Sequence, residues 1–169
     1  SVSLNEGLVT IGRYAFNGCS FTEITIPDTV TSIGDSAFSS CAKLERVTVP
    51  DSVTTMGTYV FSTCSALEEV TLSRNLTAIG GSTFRNCKAL RSIVIPDSVT
   101  AIGEFAFDGC NALAEGVLPN GVTVIERGTF TNCWALAEID LPDALTTIKN
   151  AAFSTCKALT EIVIPDTVT

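Results

Sequence analysis

The stretch "IPDTVTSIGDSAFSSC", residues 26–41, returns as "VPDSVTTMGTYVFSTC" at 49–64, "IPDSVTAIGEFAFDGC" at 95–110 and "LPDALTTIKNAAFSTC" at 141–156. The spacing is strict. Phe38, Phe61, Phe84, Phe107, Phe130 and Phe153 lie 23 residues apart, as do Cys41, Cys64, Cys87, Cys110, Cys133 and Cys156. Phe16 and Cys19 stand 22 residues before the next pair, which places a one-residue deletion near "CSFTEI", with Phe21 where the next copy has Leu44. Proline keeps the same phase from Pro27 to Pro165, replaced by Asn5 and Ser73 in two copies. Self-similarity at this period is the signature of a stacked repeat array. About seven units and a terminal partial one fill residues 1–169, so a single solenoid domain is expected, with no linker and no second domain.

Within one unit, Ile24 and Ile26 alternate with Glu23, Thr25 and Pro27, the period of a half-buried strand. The proline ends that strand because it cannot donate to a ladder. Val30 and Ile33 mark a second short extended piece that turns at Gly34, and Asp35 to Cys41 has the composition of a helical turn. A coil of this length cannot bury its apolar side alone, so successive coils are expected to stack at roughly the 4.8 Å strand spacing.

The unit "L-x-x-V-x-V-P-D-S-V-T-x-M-G-x-x-x-F-x-x-C", at Leu44 to Cys64, closely resembles the BspA-type, or treponemal-type, leucine-rich repeat. The resemblance implies an α/β repeat: a right-handed leucine-rich-repeat solenoid with a parallel concave β-sheet built from the "E-I-T-I-P" strands, short convex strands and helical turns. It also implies an extracellular or cell-surface protein of bacterial type, engaged in adhesion and protein binding.

Composition bounds the chemistry. Eighteen Asp plus Glu against ten Lys plus Arg leave a net charge of −8, which disfavours nucleic acid and anionic membranes as partners. No apolar run approaches the ~18 residues of a membrane span, so membrane insertion is not expected. There is no G-x-S-x-G, no phosphate loop and no H-E-x-x-H, and the absence of histidine removes the commonest general base. The carboxylate pairs Glu68 with Glu69 and Asp140 with Asp143 read as solvated surface. Neither an enzyme nor a cofactor is expected.

The seven cysteines share one repeat position, with no C-x-x-C among them. Equivalent side chains in a straight lane do not converge, as a disulfide or a tetrahedral metal site requires, and nothing nearby would deprotonate a nucleophilic thiol. Buried free thiols are expected, acting as small apolar fillers whose S–H groups find backbone acceptors.

Function in a solenoid lies on the outward lanes. Beside the inward Ile24 position run Ser1, Glu23, Arg46, Glu69, Ser92, Glu115, Glu138 and Glu161; after the proline run Glu6, Asp28, Asp51, Arg74, Asp97, Asn120, Asp143 and Asp166. The aspartates of the second lane are explained by the turn out of the strand. The glutamate lane has two readings: solvation of the concave face, or recognition of a basic protein partner, with loose calcium binding between the lanes as a variant. Between these lanes Ser3, Thr25, Thr48 and Thr71 give way to Val94, Val117, Asp140 and Val163. With Pro96, Pro119, Pro142 and Pro165 nearby, that change makes either a modest apolar strip or a simple display of valine's β-propensity. On the convex side Tyr14, Tyr59 and Phe105 share one position in alternate repeats, and Trp134 follows Cys133. They are either contacts or lids folded over the neighbouring coil.

Two departures stand out. Gly116 replaces the inward residue in "AEGVLPNGV", predicting a packing defect or a bulge, and the turn glycine becomes Glu126 and Lys149 in consecutive copies, predicting an exposed salt bridge. The chain is expected to be an excerpt of a longer surface protein; failing that, an open edge strand would favour end-to-end self-association. The sequence points to a noncatalytic protein-interaction module, the alternative being a structural stalk or self-assembling segment.

Overall fold

Both extended pieces form in most coils, and wherever they pair it is with the same piece of a neighbouring coil. A computed structural model describes residues 2–169. The first piece gives β1 (Val2–Ser3), β3 (Glu23–Thr25), β5 (Arg46–Thr48), β7 (Glu69–Thr71), β10 (Glu115–Val117) and β12 (Glu138–Asp140). The second gives β2 (Thr10–Ile11), β4 (Ser32–Ile33), β6 (Thr55–Met56), β8 (Ala78–Ile79), β9 (Ala101–Ile102), β11 (Val124–Ile125) and β13 (Thr147–Ile148). All pairings are parallel and one repeat apart, as in Ile24↔Val47 and Val47↔Val70. Alternation holds within four of the five three-residue strands, where Ile24, Val47, Val70 and Ile139 are buried while the residues on either side are exposed; in β10 the central Gly116 is half-buried. The result is a parallel β-solenoid.

The helical turns do not form; among the described residues there is no helix. An α-helix would commit each N–H to the carbonyl four residues back. From Ser36 to Cys41 the amides alternate instead. Those of Ala37, Ser39 and Cys41 bond back to Gly34, Ser36 and Phe38, while those of Ser36, Phe38 and Ser40 donate to Thr58, Val60 and Ser62 of the next coil at 2.7–3.0 Å. The residues two before and two after the phenylalanine, which supply the outward donors at six junctions, are left-handed in every coil. Tyr14, Ser36, Tyr59, Ser82, Phe105, Gly128 and Ala151 have φ of 54–63°, and Gly18, Ser40, Thr63, Asn86, Gly109, Asn132 and Thr155 have φ of 57–75°. Left-handed backbone is unfavourable for β-branched and bulky residues such as Thr63 and Tyr59. At the six junctions inter-coil bonds hold it, while Ala151 and Thr155 of the last turn are left-handed without one among the described residues.

Behind this turn the seven core phenylalanines stack in six successive pairs, with centroids 5.4–5.7 Å apart and ring planes within 11° of parallel. Beside them the cysteines are free, as expected; Cys41 to Cys133 are fully buried, Cys19 and Cys156 half-buried. Each thiol from Cys41 to Cys156 donates to the carbonyl of the phenylalanine in the preceding coil, at 3.1–3.3 Å. Burial pushes the Cys87, Cys110 and Cys133 thiols well above the ordinary range.

The bulge expected at Gly116 is absent: Gly116 pairs in plain register with Ile139. The missing side chain leaves room that Ile139 Cδ1 and Cγ1 border, each 3.5 Å from where a Cβ would sit. Gly34, by contrast, lies against the preceding coil, where a Cβ would come within 2.7 Å of the Arg13 nitrogen. Where Glu126 and Lys149 replace this glycine, the expected ion pair forms, with Nζ 2.9 and 2.7 Å from the two carboxylate oxygens. As an exposed pair it contributes about 0.2–1 kcal/mol.

Three outcomes test this packing. Phe84→Ala, at a fully buried ring in mid-stack, should lower unfolding free energy in urea by about 3–5 kcal/mol. Gly116→Ala should raise it by about 0.5–1 kcal/mol, because the site has space and its φ is ordinary, whereas Gly34→Ala should lower it. Titration of the native chain with a thiol reagent at pH 8 should find Cys19 and Cys156 reactive and the other five protected until denaturant is added.

Candidate binding face

The strands place three parallel lanes on one face, and charge is distributed unevenly along them. In the lane of strand-opening residues, Glu23, Arg46, Glu69, Glu115, Glu138 and Glu161 are all exposed; Ser1 lies outside the described residues. Register sets Arg46 between Glu23 and Glu69, and its Nε lies 3.6 Å from Glu69 Oε2. In the lane after the proline, Arg74 clasps Asp51 through its guanidinium Nε at 2.8 Å and its backbone N–H at 2.8 Å. The guanidinium holds the Asp51 carboxyl below the usual carboxylate range. The N-terminal half of the face is therefore partly compensated: Glu69 and Asp51 are paired, while Glu6, Glu23 and Asp28 make no ion pair among the described residues.

Beyond residue 92 compensation ends. Glu115 and Glu138 are register partners with the same charge, and among the described residues no ion pair involves Glu115, Glu138, Glu161, Asp97, Asp140, Asp143 or Asp166. Like charges facing each other across a ladder cost stability, so the fold does not explain them. Between these acidic lanes stand Val94, Val117 and Val163, 83, 65 and 79% exposed, the three most exposed large hydrophobic residues described. Asp140 interrupts the strip. Two open troughs follow it: one of about 490 Å³ bordered by Val94, Asp97, Glu115, Val117 and Asn120, the other of about 530 Å³ bordered by Glu138, Asp140, Asp143, Glu161 and Val163. The prolines contribute little surface, since Pro119 and Pro142 are buried and Pro96 and Pro165 half-buried.

The strand ladder also breaks here. β7 pairs with β5 and β10 with β12, but residues 92–95 between them form no strand. The coil continues, with Ile95 still in the core. The lane reading found the valines and the glutamates; it missed the partial neutralisation of the N-terminal half, for which Arg46 and Arg74 in the lanes were the available signal.

The turn-face aromatics do not form a shared platform. Tyr14 and Tyr59 are half-exposed and Phe105 half-buried, each separated from the next by a coil bearing buried Ser36 or Ser82. Phe105 folds onto the next coil, its ring occupying the place a Cβ on Gly128 would take. Cations cover three of the four rings: Arg13 over Tyr14 at 4.8 Å, Arg127 over Phe105 at 5.4 Å and Lys157 over Trp134 at 4.4 Å. Such pairing uses the ring faces a ligand would need. No group of three or more metal-ligating side chains converges among the described residues.

The BspA type leucine rich repeat region matches residues 1–114 and 78–169 of this chain. A leucine-rich-repeat protein of T. pallidum is 34% identical, with a TM-score of 0.89 over 94% of this chain and 77% of its own. One from Bacteroides ovatus is 40% identical, with a TM-score of 0.92 over 95% of this chain but only 42% of its own length. A leucine-rich cell-surface protein of Faecalibacterium prausnitzii is 25% identical, with a TM-score of 0.58 over 82% of this chain and 59% of its own. No curated protein matches the chain.

Proposed function

The chain belongs to the BspA-type leucine-rich-repeat family, and from that premise we propose that it is a noncatalytic protein-binding module whose contact surface is the C-terminal half of its strand face. One observation carries this reading: Val94, Val117 and Val163 are held exposed between glutamates and aspartates that, among the described residues, no ion pair neutralises. Exposed valine is available for apolar burial, and an uncompensated acidic rim steers a cationic partner and sets its register. The fitting partner is an extended protein segment that alternates basic and apolar side chains. A cell-surface setting is supported by the Faecalibacterium neighbour, a cell-surface protein, and no enzyme family is indicated by the matches.

A stalk reading rests on the unbroken turn bonding, which would stiffen the chain whatever its outward residues. The two differ in what the face does. A fluorescent peptide alternating lysine and valine, titrated at low salt, should bind the native chain, and the triple variant Glu115→Lys, Glu138→Lys, Glu161→Lys should weaken it by roughly tenfold or more. Glu23→Lys with Glu69→Lys, on the half that carries Arg46 and Arg74 and lacks the exposed valines, should leave affinity within about threefold. Equal loss from both variants, or no binding by the native chain, would favour the stalk.

A further inference from the structure

The sequence contains two Asn-Gly dipeptides, Asn17-Gly18 and Asn120-Gly121, and the fold treats them in opposite ways. Both are exposed. Glycine after asparagine leaves the following backbone nitrogen unshielded and its dihedrals free, which favours attack of that nitrogen on the asparagine side chain. At Asn17-Gly18 both nitrogens concerned are occupied: Asn17 Nδ2 donates to the Ser39 carbonyl at 3.0 Å, and the Gly18 N–H donates to the same oxygen at 2.8 Å. Gly18 belongs to the turn bonding that joins its coil to the next.

Asn120-Gly121 has neither restraint. It sits in the turn closed by the Val122 N–H on the Pro119 carbonyl at 3.0 Å, and among the described residues neither the Asn120 amide group nor the Gly121 N–H makes a hydrogen bond. The corresponding position is tethered by a hydroxyl in four other coils. Thr29, Ser52, Ser98 and Thr167 each donate a side-chain hydroxyl to a carbonyl of the preceding coil, at 2.6–2.8 Å. Gly121 has no side chain to do so. In five other coils the residue in the Asn120 slot is an aspartate, so the repeat already accommodates a carboxylate there.

We propose that Asn120 is a site of spontaneous covalent modification. The Gly121 backbone nitrogen, losing its proton, attacks Asn120 Cγ; the new C–N bond closes a five-membered succinimide, and the side-chain nitrogen leaves as ammonia. Water then opens the ring to aspartate or, at the other carbonyl, to isoaspartate. Either product adds one negative charge to the trough beside Asp97 and Glu115. The chemistry stands whether or not that trough binds a peptide.

The test is to age the native chain at mildly alkaline pH, digest it with trypsin and follow both dipeptides by mass spectrometry, with fragmentation that separates aspartate from isoaspartate. Asn120 should convert at least about tenfold faster than Asn17, equivalent to about 1.4 kcal/mol, the scale of a hydrogen bond that must break before attack. In the denatured chain the two rates should converge. Gly121→Ser, which restores the hydroxyl found in other coils, should slow conversion of the native chain, with circular dichroism confirming the fold. Equal native rates, faster conversion at Asn17, or a native Asn120 that stays intact while the denatured chain converts would overturn the proposal.

Discussion

Three backbone N–H groups in each turn, those of the core phenylalanine and of the residues two before and two after it, donate to carbonyls of the following coil at all six junctions from Phe16 to Phe153. A net ~0.5–1.5 kcal/mol for each such bond is modest, but three in parallel fix the spacing and the rotation of one coil on the next. The strand ladders do not run the whole length: the first pauses at residues 92–95, and the second is split into β2-β4-β6, β8-β9 and β11-β13. The turns supply the one continuous backbone connection.

Core composition follows from that spacing. Coils held one backbone bond apart place equivalent side chains a van der Waals contact apart, and a flat ring slightly offset from its neighbour fills that interval, as the stacked phenylalanines do. The cysteine recurs because its surroundings recur. A thiol fits beside the rings, and its S–H reaches a phenylalanine carbonyl that already accepts the cysteine amide of its own coil, so a weak donor is satisfied within an apolar interior.

The period, the inward set of Ile24, Ile26, Val30, Ile33, Phe38, Cys41 and Leu44, and the two strand segments were all legible in the sequence, because repetition averages away the noise of any single copy. The turn was not. Its residues suit a helix when amides are assumed to bond within the segment, and here half of them are claimed by a neighbour. No glycine marks the left-handed position at Tyr14, Tyr59 or Phe105, so local propensity gave no warning. Gly116 misled for a related reason: its local signal is that of a bulge, yet the ladder to Ile139 keeps register. At the candidate face, single lanes were readable while their electrostatic balance depended on pairing across coils, as between Arg74 and Asp51.

The alternation of large and small residues at the left-handed position before the phenylalanine has a bearing on how such a chain can grow. Tyr14, Tyr59 and Phe105 alternate with Ser36, Ser82 and Gly128 before Ala151 ends the order, and the Phe105 ring takes up the space over Gly128. Losing the coil that carries Ser36 or Ser82 would set two aromatic rings side by side, whereas two small neighbours already stand together at Gly128 and Ala151. Gaining or losing coils in twos would preserve the order. From Tyr14 to Gly128 the turn face thus repeats in pairs of coils, although every core position repeats singly.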